Sequence, residues 1–178
     1  MNKFVKLPLF LGVCGAICAG VLAVVNGITA PIVAQRLENE KNANYLELMS
    51  ITSADKYGDG TVSSDLASKN VTGIKEIYVG DELIGVVYDG SINDGWSQWN
   101  VQLGIKDGKY TGFKYNSTAP DAKGSTFMVA FANAVPGKEV SADANDLLSG
   151  SSSPDTVPAM RSFVSACASD YVANYANM

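Results

Sequence analysis

Two short turn signals constrain this chain more than anything else in it. Gly80-Asp81 separates IKEIYV from ELIGVVYDG, and Asp107-Gly108 separates WNVQLGI from KYTGFKY. A two-residue hairpin turn needs positive φ at its centre, which Gly, Asp and Asn supply at least cost, so each dipeptide between apolar runs predicts an antiparallel hairpin. Val101, Leu103 and Ile105 alternate, as expected for one face of a strand. Residues 73–115 are therefore expected to build an antiparallel sheet. There is no internal repeat.

Helical periods follow. STFMVAFANAV puts Phe127, Phe131 and Val135 on one face, and Pro136-Gly137 stops it. From about Pro158 to Tyr175, the residues Met160, Phe163, Val164, Cys167 and Tyr171 recur at helical spacing. Strands followed by segregated helices predict an α+β domain. Ahead of the strands, DKYGDGTVSSD carries turn formers throughout and reads as a loop. DKYGDG lacks the remaining ligand positions of a calcium loop, so a plain turn is expected there.

The other landmark is LPLFLGVCGAICAGVLAVV, residues 7–25, in which no residue is charged. As a helix rising about 1.5 Å per residue it would be roughly 28 Å long, close to the hydrocarbon thickness of a bilayer. The expectation is a single N-terminal transmembrane helix over residues 7–26. Lys3 and Lys6 keep residues 1–6 inside, and the domain then lies on the extracytoplasmic side of the cell membrane. A cleaved signal peptide is the competing reading, with a usual apolar region of roughly 7–15 residues. Cys14 and Cys18 share one face of this helix and read as small packing residues. Ile32, Val33, Leu37, Tyr45, Leu46 and Met49 give a patchy apolar face to a juxtamembrane helix within residues 27–57, leaving 58–178 as the domain.

Composition removes whole classes of chemistry. Histidine is absent, which excludes Ser-His-Asp and Cys-His catalysis and histidine metal sites. The three cysteines form no C-x-x-C pair for zinc or an iron–sulfur cluster. No Gly-x-Ser-x-Gly elbow follows a strand, so a hydrolase is disfavoured. The net charge of −5 argues against nucleic acid and against anionic lipid surfaces.

The order of NGITAPIVAQ, VGDELIGVVYDG, VQLGIKDGKYTGFKY and GKEVSADANDLLSGSS resembles the FMN-binding domain family over nearly the whole chain. That family includes the flavin-carrying subunits of the Rnf ferredoxin:NAD oxidoreductase and of the sodium-pumping NADH:quinone reductase. Its members carry FMN on a Ser-Gly-Ala-Thr motif with an acidic residue three positions earlier, the threonine hydroxyl joined to the flavin phosphate by a phosphoester. Here Asp146 precedes Ser149-Gly150-Ser151-Ser152, so Ser151 stands for the alanine and Ser152 for the acceptor threonine. Thr156 is the nearest threonine and aligns only with a local insertion. A second family loop, Glu-Thr-Pro-Gly-Leu-Gly, is echoed at Thr118, Pro120 and Gly124 with altered spacing.

The resemblance implies FMN as cofactor, held at Ser149, Gly150, Ser151, Ser152 and Ser153 with Thr156 as the second acceptor candidate and Thr118 near the flavin. Trp96 and Trp99, in GWSQWN, either flank the flavin ring or pack in the core. The implied function is that of a membrane-anchored electron carrier in an Rnf-like respiratory complex, a subunit rather than a stand-alone enzyme. Its partners would be other membrane subunits and a flavin transferase. The alternative keeps the fold and drops the flavin: a membrane-anchored binding or structural module in which Ser153-Pro154 or Asp155-Thr156 simply caps a helix.

Overall fold

The computed structural model describes residues 3–93, 95, 97–117, 122–141 and 156–176. The chain divides into two compact units, Met1–Ala43 and Asn44–Met178. Helix α1 runs without interruption from Lys3 to Leu48, and its last turn belongs to the second unit. The second unit then continues through β1 (Lys56–Asp59), α2 (Ser64–Ser68), β2 (Val71–Val79), β3 (Glu82–Asn93), β4 (Gln98–Lys106), β5 (Lys109–Ser117), α3 (Ala122–Ala134) and α4 (Thr156–Asn174).

The expectation of a transmembrane helix is corrected. Among the described residues no helix is long and apolar enough to cross a membrane. Asn26, Gly27, Thr29 and Pro31 all stay inside α1, and Asn26 and Gly27 interrupt its exposed apolar side chains Val21, Leu22, Val24, Val25 and Ile28. The Thr29 hydroxyl donates to the Val25 carbonyl at 2.8 Å, a local bond that lets a polar residue sit within a helix. Helix α1 covers both the segment expected to span and the segment expected to follow it.

The sheet is a five-stranded antiparallel meander in sequence order, β1-β2-β3-β4-β5. Both turn signals sit where the sequence puts them. Val79 pairs with Glu82 across Gly80-Asp81, with Gly80 at φ +63°. Lys106 pairs with Lys109 across Asp107-Gly108, whose φ values of +51° and +71° are the paired positive values of a type I′ turn.

Each face of the sheet is covered. Val86, Tyr88 and Ile92 of β3, with Val101, Leu103 and Ile105 of β4, join Phe127 and Phe131 of α3 and Met160, Phe163, Val164 and Cys167 of α4 in the main core. Phe113 of β5 meets Phe131 edge-on, ring centres 4.8 Å apart. Trp99, also in this core, is 1% exposed and lies edge-on to Tyr115 at 6.1 Å. Val87, one residue out of phase with Val86 and Tyr88, joins Ile77 on the opposite face. That face receives Tyr45, Leu48 and Met49 from the end of α1.

The seat for the end of α1 is made by glycines. An added Cβ on Gly85 would come within 2.7 Å of both the Met49 sulfur and the Ile105 carbonyl oxygen. One on Gly112 would meet Leu48 Cδ2 at 3.0 Å, and one on Gly104, which pairs directly with Gly112, would meet Met49 Cε at 3.1 Å. Polar bonds flank this contact. The Tyr45 hydroxyl donates to Asp89 Oδ2 and the Gln102 amide to Asp89 Oδ1, both at 2.8 Å. Lys114 reaches Asn44 at 2.8 Å and also pairs with Glu47.

The segment read as a loop, DKYGDGTVSSD, instead supplies strand β1 and helix α2. Tertiary pairing decides this: Tyr57 pairs with Ile77 in register and its ring lies 6.4 Å from that of Tyr45, while Lys75 bonds Asp59. Ser63 caps α2 by accepting from the Leu66 amide at 3.3 Å, and Leu66 is buried.

Leu48→Ala should lower stability by about 2–4 kcal/mol, the usual cost of a cavity at a buried leucine. Gly85→Ala should cost about 1–3 kcal/mol, because a backbone carbonyl blocks the new methyl. Urea unfolding followed by tryptophan fluorescence measures both, and losses under about 0.5 kcal/mol would show that the end of α1 is not seated in the sheet.

Candidate functional site

Helix α4 organises the side of the domain where the sequence points to function. It begins at Thr156, which is 1% exposed, and carries no acidic residue in its first turn. Backbone N–H groups without an intrahelical acceptor and the helix dipole make such an end electropositive. The chain that leaves α3 passes near the far end of the same helix. After α3 it turns at Gly137 and runs along the edge of β5, with the Tyr110 amide donating to Lys138 O at 2.9 Å and the Val140 amide to Gly108 O at 2.8 Å. The Gly108 amide in turn donates to the Tyr171 hydroxyl near the C-terminal end of α4, at 3.1 Å.

Of the residues singled out from sequence for the flavin site, Thr156, Trp99 and Gly124 fall among the described ones. Ser149, Gly150, Ser151, Ser152, Ser153, Trp96 and Thr118 lie outside them. Burial of Thr156 at the start of α4 makes its hydroxyl a poor target for a transferase. Of the two readings of Trp99, packing in the core is the one observed.

Along α4 from Pro158 to Asp170 an open cavity of about 610 Å³ lies between this helix and α2. Lys69 at the end of α2 and Arg161 on α4 both line it, as do Asp65, Ser162 and Ser169. Sequence reasoning did not single out these residues. On a helix whose apolar stripe is Met160, Phe163, Val164 and Cys167, the residues between them read as a solvent face, and the opposing α2 was read as loop.

A third group lies beneath α4, where hydroxyls meet carboxylates. The Tyr88 hydroxyl donates to Asp170 Oδ2 and the Asn174 amide to Asp170 Oδ1, both at 2.8 Å. Tyr175 and Tyr78 donate to the two oxygens of Glu76 at 2.9 and 2.8 Å. Burial, then the bond to Asp170, pushes the Tyr88 hydroxyl far above its ordinary range. Burial pushes Tyr110 up to about 12. Burial, with the charge of Asp170 adding to it, also drives the Cys167 thiol well upward. A thiolate is the reactive form of cysteine, so Cys167 is a packing residue rather than a nucleophile.

In the folded protein at pH 8, iodoacetamide should modify exposed Cys18 and leave Cys167 intact until denaturant is added. Peptide mapping by mass spectrometry reads this, and rapid native labelling of Cys167 would contradict its burial. In comparisons with known proteins, no family model matches the chain, and no curated protein matches it.

Proposed function

We propose that this chain is an electron carrier that bears FMN on the serine-rich segment leading into α4, with Ser152 as the acceptor of a phosphoester. The observation that carries the reading is the junction at Thr156. Segment SGSSSPD runs directly into the N-terminus of a 19-residue helix with no carboxylate in its first turn. Amides and dipole at that end favour a bound phosphate, which fits the phosphate group of FMN. Burial of Thr156 favours Ser152 over it as acceptor. When bound, FMN supplies the redox chemistry, and the protein's part is to hold it and set its potential. Such a role requires no proton-transfer side chain, in keeping with a chain that lacks histidine. The partners are a flavin transferase, which would move FMN from FAD to the Ser152 hydroxyl, breaking the pyrophosphate bond and releasing AMP and a proton, and the other subunits of an electron-transport complex.

The test is in-gel fluorescence of the denatured protein after co-expression with a flavin transferase. The reading expects a fluorescent band, an FMN adduct on the tryptic peptide running from Glu139 to Arg161, and loss of both in Ser152→Ala. Thr156→Val should keep the band. Protein with neither fluorescence on the gel nor flavin absorbance in the native state would replace this reading with the flavin-free binding module.

A further inference from the structure

The cavity between α2 and α4 has a chemical character of its own. Its two cations, Lys69 and Arg161, take part in none of the ion pairs among the described residues, which are Lys75–Asp59, Lys109–Glu139 and Lys114–Glu47. The nearby carboxylate of Asp170 also lines the cavity, but both its oxygens already accept hydrogen bonds, from Tyr88 and Asn174. Asp65 brings an acceptor from the α2 side. Ser162 and Ser169, seven residues apart, lie two turns from each other along one side of α4. Leu66, Pro158 and Ala166 complete the lining with an apolar patch about as large as the polar one, against which the carbon skeleton of a ligand can lie.

We infer that this cavity binds a phosphorylated polyol. The guanidinium of Arg161 offers a planar fork of donors matched to two phosphate oxygens, and Lys69 adds a second positive charge from the other wall. A phosphate ion alone would leave most of the cavity unfilled, since volumes of this order hold whole small-molecule ligands. The rest of the ligand must meet hydroxyl and carboxylate groups as well as this apolar patch, as the hydroxyls and C–H faces of a polyol do. Ser162 and Ser169 can donate to or accept from ligand hydroxyls, and Asp65 accepts only, a set suited to a chain or ring of alcohols.

Two sources carry this chemistry: a free sugar phosphate, and the ribityl phosphate arm of a flavin. The inference does not require the ester at Ser152, and the experiment keeps the two apart. The full chain, labelled with ¹⁵N, is titrated with ribose 5-phosphate, ribose and inorganic phosphate while its amide resonances are followed. Ribose 5-phosphate should shift Lys69, Arg161, Ser162 and Ser169 and bind at least tenfold more tightly than either ribose or phosphate. Arg161→Gln and Lys69→Gln, both at exposed positions, should each weaken it at least tenfold while the core resonances stay in place. Ribose 5-phosphate binding no more tightly than phosphate, or binding Arg161→Gln as well as the natural chain, would overturn the site. FMN and riboflavin then identify the source. Competition by FMN but not by riboflavin means that the flavin arm is the occupant, and no competition by FMN means a free sugar phosphate. Both results uphold the cavity as a polyol phosphate site, and the adduct at Ser152 is judged separately by its fluorescence.

Discussion

The domain depends on a hollow in one face of its sheet. Gly85, Gly104 and Gly112 lie on three adjacent strands and leave out the atoms that would otherwise fill the space taken by Leu48 and Met49. A sheet of ordinary residues would hold a helix end about 10 Å away, the normal layer spacing. With the side chains removed, Leu48 reaches the backbone of β5. That depth is what aligns Tyr45 with Asp89 and Lys114 with Glu47. The glycines cost conformational entropy in a strand interior, and burial of the α1 residues offsets it.

The opposite face of the same strands carries the reverse pattern. Leu103 and Ile105 flank Gly104, Val86 follows Gly85, and Phe113 follows Gly112, all turned toward α3 and α4. Period-two alternation thus encodes a hollow on one side and a filled layer on the other. The helical side is further fixed by tyrosine hydroxyls that end on carboxylates, Tyr88 on Asp170 and Tyr175 on Glu76. Those bonds hold α4 in register over the sheet, and with it the position of Thr156 and the wall that bears Arg161.

What could be read in the sequence was local. Gly80-Asp81 and Asp107-Gly108 announced their hairpins because positive φ is a property of the dipeptide itself, and the stripe from Met160 to Tyr171 announced α4 by its spacing. What was missed is tertiary. Strand β1 exists because it pairs with β2, and its Gly58 and Asp59 belong to residue types that favour turns. The run at residues 7–25 suggested a membrane span because its composition ends at Asn26, whereas the helix does not. The candidate site divides in the same way. Hydroxyls before α4 stand out as a motif, while Lys69 and Arg161 become a pair only when α2 and α4 face each other across the cavity.

The meander has a consequence for how the chain is made. Every strand pairs with its neighbour in sequence, so the sheet can assemble from successive hairpins with short loop closures and little entropic delay. The helical layer cannot keep pace. Val86, Tyr88, Ile92, Val101 and Leu103 lie on a face whose main cover, α4, is synthesised only after all five strands. During that interval the nascent domain shows water a broad apolar surface, which is the state in which chaperones find their clients and in which chains aggregate. The end of α1, made before the strands, already shields the other face, so the period of vulnerability is confined to one side of the sheet.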